Sequence, residues 1–185
     1  MTLMIEREVK IRFDNPAEAR AAILATGATP LRCRRLQEDA LLDTEDEDLR
    51  RRACVLRIRT ESGKSLMTFK GPVQPGTMKV RDEYETVIGD GEVLQHVFEE
   101  LGLHVWFRYE KWREEYAAED VTIAVDETPV GTFVEIEGGE QGILTMTEAL
   151  GRSASDFILD SYRGLFVQHK ERFGFNSTDM VFPQE

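Results

Sequence analysis

Residues 4–13 alternate in character: Ile5, Val9, Ile11 and Phe13 fall on one parity, and Glu6, Glu8, Lys10 and Arg12 on the other. A period of two is the signature of a strand with two chemically different faces. Asn15-Pro16 then opens a helix carrying Ala19, Ala22, Ile23 and Ala25, and Gly27 ends it. Further strands are predicted at 29–35, 38–43, 53–60, 65–71, 79–88, 104–116, 120–127 and 132–138. The segment 44–52 is charged and turn-like. Glu61-Ser62-Gly63-Lys64 reads as a hairpin turn, and Gly71-Pro72, Pro75 and Gly76 as a long loop. A helix over 92–101 shows Val93, Leu94, Val97, Phe98 and Leu101 at helical spacing. Two helices finish the chain, over 141–150 and 155–171, the second striped by Phe157, Ile158, Tyr162, Leu165 and Phe166. The expected organisation is one domain over 1–175 and an irregular tail over 176–185. Short turns between neighbouring strands predict a mostly antiparallel sheet, an α+β fold, and a sheet long enough to close on itself.

The charges follow the same parity. Glu6, Glu8 and Lys10 share a face of the first strand. Arg57 and Arg59 stand opposite Leu56 and Ile58, and Lys70 ends its strand. Arg81, Glu83 and Glu85 share a face; so do Lys111 and Arg113, with Tyr109. Asp126 lies near the end of its strand, and Glu135 and Glu137 stand opposite Val134 and Ile136. On one strand this is a solvated face with cross-strand ion pairs, each worth roughly 0.2–1 kcal/mol. Repeated over six strands, on a sheet that closes, it turns the charges inward, where unpaired ions are costly. Such an interior suits water or a highly charged ligand. Arg and Lys match phosphate oxygens. Paired carboxylates without neighbouring His or Cys match a hard divalent cation. Together they describe a metal–polyphosphate site. The cations are expected to repel one another in the empty tunnel, so that removing one would not unfold the protein.

Glu6-Arg7-Glu8-Val9-Lys10 resembles the Glu-x-Glu-x-Lys signature of the CYTH superfamily, the triphosphate tunnel metalloenzymes. It is followed in order by Leu56-Arg57-Ile58-Arg59, Thr68-Phe69-Lys70-Gly71-Pro72, Arg81-Asp82-Glu83-Tyr84-Glu85, Lys111-Trp112-Arg113, Asp126 and Phe133-Val134-Glu135-Ile136-Glu137. The resemblance spans about residues 4–170 and is greatest to the branch that holds the class IV adenylate cyclases. It implies a closed antiparallel tunnel of eight strands with helices packed outside and a C-terminal helix. It implies that Glu6, Glu8, Asp126, Glu135 and Glu137 hold Mg²⁺ or Mn²⁺. Arg57, Arg59, Lys70, Arg81, Lys111 and Arg113 would clamp a triphosphate. Lys10 would stand near the reacting phosphorus, while Glu83 and Glu85 orient the cations or a second metal. Ser161-Tyr162 resembles a Ser-Tyr pair of cyclase-like members. The implied substrate is a small triphosphate: ATP, tripolyphosphate or thiamine triphosphate. A phosphohydrolase is favoured because hydrolysis demands contacts to phosphates alone. A cyclase making cyclic AMP is the alternative, and a non-catalytic polyphosphate- or nucleotide-binding module a third reading.

Composition narrows the partners. Lys plus Arg is 23 and Asp plus Glu 35, a formal net charge of −12. That disfavours nucleic acid and anionic membranes, which call for a basic surface. A second copy of the chain is one option as partner. The start of the chain lacks an apolar leader, and Cys33 and Cys54 are too few for a disulfide framework; both fit a cytoplasmic protein. Gly63-Lys64-Ser65 is not a phosphate-binding loop, because Ile58 occupies the place of the first glycine. His96, His104 and His169 show no ligand spacing. Trp106 and Trp112 fall on the apolar parity of their strand and are expected in the core.

Overall fold

The computed structural model describes residues 4–173 and 176–183. Eight strands, β1 (Met4–Phe13), β2 (Thr29–Thr44), β3 (Val55–Glu61), β4 (Lys64–Lys70), β5 (Lys79–Ile88), β6 (Leu103–Ala118), β7 (Val121–Thr128) and β8 (Gly131–Gly138), form a barrel. Its order is β1-β5-β4-β3-β2-β6-β7-β8, closed by β8 against β1, with every pair antiparallel. Closure removes the exposed edges of an open sheet. Five helices accompany it: α1 (Pro16–Ala25), α2 (Asp48–Arg51), α3 (Gly91–Glu100), α4 (Glu140–Ala149) and α5 (Tyr162–Phe173). Among the described residues no helix is long and apolar enough to cross a membrane.

The main core lies outside the barrel. Val9, Ile11 and Phe13 of β1, Ile123 and Val125 of β7, and Val134 and Ile136 of β8 point outward. They pack under Ala19 and Ile23 of α1 and Ile143 and Met146 of α4. The period of two thus puts the apolar face against helices and the charged face in the lumen. Local chemistry sets the ends. The Asn15 carboxamide oxygen accepts from the Glu18 amide and Pro16 occupies the first turn of α1. Ser62 and Gly63 both take positive φ, 50° and 72°, which suits the tight turn joining β3 to β4.

A second cluster closes one end of the barrel. Tyr162, Leu165 and Phe166 of α5 and Met180 pack on Leu41, Phe107, Tyr109, Val130 and Phe133. Met180 pairs with the backbone of β6: its amide donates to the Arg108 carbonyl, and its carbonyl accepts from the Glu110 amide. The C-terminal segment therefore straps α5 onto the barrel.

Three elements differ from the pattern-based expectation. Residues 29–35 and 38–43 form one strand, β2, bent by irregularities between Pro30 and Arg35. Within the charged turn sits α2, because the buried Asp43 carboxylate accepts from the Leu49 and Arg50 amides. The final helix begins at Tyr162 rather than at 155. Ala154–Asp156 is a single 3₁₀ turn, and the Ile158 amide donates to the Lys10 carbonyl. Phe157 and Ile158 are bound to the barrel wall in extended form, and their spacing mimics a helical stripe.

Candidate active site

Residues from seven of the eight strands line one cavity of about 710 Å³, joined by Ser161, Tyr162 and Arg163 near the start of α5. Glu6, Glu8, Lys10, Arg57, Arg59, Lys70, Arg81, Glu83, Glu85, Lys111, Arg113, Glu135 and Glu137 all line it. Asp126 lies immediately behind, fully buried. The alternating strands thus bring the whole expected set together.

The expectation of mutually repelling cations is overturned: signs interleave, and nearly every charge has a partner. On the β1–β5 wall, Glu6 holds Lys70 at 2.5 Å and Arg81 at 2.8 Å, and Glu8 holds Lys79 at 2.8 Å. Lys70 also reaches Glu83 at 3.0 Å. Lys10 lies 3.1 Å from Glu135 and donates to the Asp160 carbonyl at 3.2 Å. On the β2–β3 wall, Arg59 grips both Asp39 oxygens, at 2.8 and 3.2 Å. On the β6–β7 wall, Lys111 and Arg113 donate to Asp126, as does the Tyr162 hydroxyl at 2.6 Å. Arg113 also pairs with Glu135. Asp126, expected as a metal ligand, thus has both oxygens engaged by protein donors.

The pairs tune the charges. Burial alone would raise Glu6, yet Lys70 and Arg81 hold its carboxyl down at about 2. Burial also works against the Asp39 carboxylate, but Arg59 and Arg57 hold it below the usual range. Burial and then Arg113 push Lys111 down to about 8. Burial opposes the charge on Lys10, but Glu135 and Glu8 override it and raise its pKa. Enclosure, then Glu6 and Glu8, push Glu137 up to about 7.

Among the groups lining the cavity, Arg57 and Glu137 are incompletely matched, as are Gln37, whose Oε1 accepts no hydrogen bond, and Arg163, which contacts aromatic rings. Arg57 donates to Thr68 Oγ1 at 3.1 Å and to the Tyr109 hydroxyl at 3.5 Å and lies 3.6 Å from Glu85, while its buried Nε stands 3.4 Å from Asp39 without making a hydrogen bond. Glu137 is solvent-accessible and has no ion-pair or hydrogen-bond partner among the described residues. β3 and β8 are separated by the same number of strands in either direction round the barrel, so these two groups stand on opposite walls. One wall has a guanidinium short of an acceptor, and the other a carboxylate short of a cation.

The donor set near Glu137 fits a hard divalent cation. Glu6, Glu8 and Glu137 offer carboxylate oxygens alone, and Glu8 and Glu137 are cross-strand neighbours. Among the described residues no three acids are already arranged as ligands, because Glu6 and Glu8 are turned to Lys70, Arg81 and Lys79. A pH test follows. An acid whose folded-state pKa is raised contributes stability at low pH that is lost as the pH climbs through about 7. With chelator present, Glu137→Gln is expected to raise the melting temperature at pH 8 and leave it unchanged at pH 4. Equal shifts at both pH values would contradict the crowding of Glu137 by Glu6 and Glu8.

Asp39 and Lys79 belong to the site but not to the set expected from the sequence. Lys79 shares parity with Arg81 and Glu83, a signal that points to the lumen. Asp39 lies just past the bend of β2, where the alternation breaks. Trp106 packs against the second core cluster, as expected, and also borders the cavity; Trp112 lies on the outer wall beneath the Arg34 guanidinium, 4.1 Å from its carbon.

Comparison with known proteins agrees with this architecture. Residues 4–157 match the CYTH domain family. A Methanocaldococcus jannaschii protein, provisionally named an adenylate cyclase, is 31% identical over 176 residues, covering 88% of this chain and 100% of the relative. A Vibrio parahaemolyticus crystal structure, also provisionally named an adenylate cyclase, superposes with a TM-score of 0.80 at 18% identity, over 90% of this chain and 99% of that one. A Hippeastrum protein, provisionally named an adenylyl cyclase and described as having a dominant triphosphatase activity, gives a TM-score of 0.66 at 16% identity, over 90% and 96% of the two chains.

Proposed function

The chain belongs to the CYTH domain family, and from that premise we propose that it is a divalent-metal-dependent enzyme acting on a triphosphate, with phosphohydrolysis as its reaction. The observation that carries the reading is the convergence of cations and carboxylates from seven strands on one ionic cavity, in which Arg57 Nε lacks a hydrogen bond and Glu137 lacks a cation among the described residues. A metal–triphosphate complex supplies an anion to Arg57 and a cation to Glu137. Glu6, Glu8 and Glu137 would hold Mg²⁺ or Mn²⁺, with Glu135 close by. The metal, when bound, neutralises phosphate oxygens and favours attack at phosphorus.

The other residues act on the phosphates directly. Arg57, Arg59, Lys70, Arg81, Lys111 and Arg113 bind them and stabilise the charge that develops. Asp39 and Asp126 position this clamp, and Glu83 and Glu85 orient Lys70 and, through Thr68, Arg57. Lys10 keeps its proton and acts as a fixed charge. Burial and Arg113 bring Lys111 down to about 8, and burial also lowers Lys79, so both hold their protons less tightly than an ordinary lysine.

The Hippeastrum description supports hydrolysis in this fold, and the names of the other relatives support a second reading. In that reading the ribose 3′-hydroxyl of ATP attacks the α-phosphorus, releasing cyclic AMP and pyrophosphate. Cyclisation needs the 3′-oxygen in line with that phosphorus. A cyclase therefore leaves tripolyphosphate intact and fails with 3′-deoxy-ATP; a hydrolase turns over both.

The metal assignment has its own test. Glu8→Gln keeps the shape and removes the charge, so it is expected to abolish most activity; it also leaves buried Lys79 without its carboxylate, so a lower urea midpoint accompanies the loss. Glu45→Gln, in the turn before α2, serves as control and leaves the rate unchanged. A Glu8→Gln enzyme with unaltered rate and metal dependence would remove Glu8 from the site.

A further inference from the structure

β6 outruns the strand beside it. β7 pairs with Trp112 through Ala118 and ends at Thr128, so the part of β6 before Trp112 has β2 on one edge and lacks β7 on the other. Residues 179–182 take that edge. The Met180 amide donates to the Arg108 carbonyl at 3.0 Å, and the Met180 carbonyl accepts from the Glu110 amide at 2.9 Å, a parallel bridge centred on Tyr109. Asp179 Oδ1 accepts from the Arg108 amide at 2.7 Å, and Glu110 Oε2 accepts from the Phe182 amide at 3.0 Å. Three backbone groups of β6 beyond the reach of β7 are paired in this way, as a sheet edge set against a packed core requires.

The bridge stands behind the cations of the cavity. Tyr109 lines that cavity, and its hydroxyl accepts from Arg57 at 3.5 Å. Its ring centre lies 6.2 Å from that of Tyr162, whose hydroxyl donates to Asp126 at 2.6 Å. Asp126 in turn holds Lys111 and Arg113. Met180 is fully buried in the cluster that contains both tyrosines. Two routes therefore lead from one segment to the clamp. One runs through Tyr109 to Arg57 on β3, the other through Tyr162 and Asp126 to Lys111 and Arg113 on β6. Met180 is not among the residues lining the cavity, so its influence on a bound phosphate runs through these rings.

We propose that Met180 is a positioning residue for the phosphate clamp: docked on the free edge of β6, it holds the Tyr109 and Tyr162 hydroxyls where Arg57 and Asp126 need them. The proposal rests on the reading of the tunnel as a triphosphate site and adds the segment that keeps its cations in place. Docking of residues 179–182 and ordering of the clamp form one equilibrium. Lifting the segment bares the backbone edge of β6 and loosens both tyrosines together. Part of the binding energy of the phosphates then goes into re-forming the clamp, and affinity falls.

The test is a mutant cycle read by calorimetric titration with a non-hydrolysable imido analogue of tripolyphosphate, Mg²⁺ present. Met180→Ala is expected to raise the analogue Kd about tenfold, the scale of coupling within one contact network. Met180→Leu conserves volume and apolar character and should stay within about twofold of wild type. Asp179→Ala removes the hydrogen bond to the Arg108 amide and leaves the core filled; it should move Kd in the same direction as Met180→Ala, and it replaces that variant in the cycle if Met180→Ala does not fold. In a background carrying Tyr109→Phe and Tyr162→Phe, where the two hydroxyls are gone, Met180→Ala should change Kd less than about twofold. Amide hydrogen exchange at Arg108 and Glu110, which donate to the segment, should speed up in Met180→Ala. An unchanged Kd or unchanged exchange in Met180→Ala, or equal weakening in both backgrounds, would overturn the positioning role and leave the tunnel reading standing. Failure of the wild-type protein to bind the analogue would overturn the tunnel reading and the positioning role with it.

Discussion

Asp126→Ala is expected to destabilise the protein by about 3–5 kcal/mol, the usual cost of breaking a buried ion pair from one side. Asp126 is fully buried and accepts from Lys111, Arg113 and the Tyr162 hydroxyl. Its removal leaves two cations together, with Glu135 the nearest acid to share. It also frees Tyr162, whose ring lies against Lys10 and Lys111 at the closed end of the barrel. For a chain of this size the loss corresponds to a drop in melting temperature of roughly 6–20 °C. Urea denaturation checks it. A cost below about 1 kcal/mol would mean that water enters and solvates the pair, as at a surface.

The second large effect is on activity. Arg57→Ala is expected to lower kcat/KM for a triphosphate by about 10²–10³-fold, the scale of removing one donor from developing charge. The stability change should be far smaller than for Asp126→Ala, because Arg59 already holds both oxygens of Asp39. Arg57→Lys should recover little, since an ammonium lacks the planar fork of a guanidinium. Steady-state kinetics beside urea midpoints separate the two effects. An Arg57→Ala enzyme with near wild-type kcat/KM and a large loss of stability would make Arg57 a structural residue.

The sequence carried the lumen well because the strand period is two: one register decision sorts each strand's acids and bases from its apolar residues. Glu6, Arg81, Arg113 and Glu135 were legible for that reason. The pairing was not legible, since partners such as Glu6 and Lys70, or Arg113 and Asp126, meet only once strand order and closure are fixed. Asp39 is not legible because the bend of β2 breaks the alternation while the strand itself runs on. The onset of α5 is not legible because Phe157 and Ile158 satisfy a helical stripe while lying extended along β1. Trp106 could not be assigned to the lumen by parity, because the pairing of β2 with β6 slips by one residue between Leu41 and Leu42, and parity is lost across such a slip.

The central claim is that the tunnel processes triphosphates with a divalent metal. Its most direct test is anion-exchange analysis of products after incubating the wild-type protein with Mn²⁺ and ATP, tripolyphosphate or thiamine triphosphate. The account predicts metal-dependent release of orthophosphate from ATP and from tripolyphosphate, abolished by chelator. Cyclic AMP and pyrophosphate from ATP, with tripolyphosphate left intact, would contradict hydrolysis and make cyclisation the reaction. No turnover of any of the three with Mn²⁺ or Mg²⁺ would contradict the claim itself.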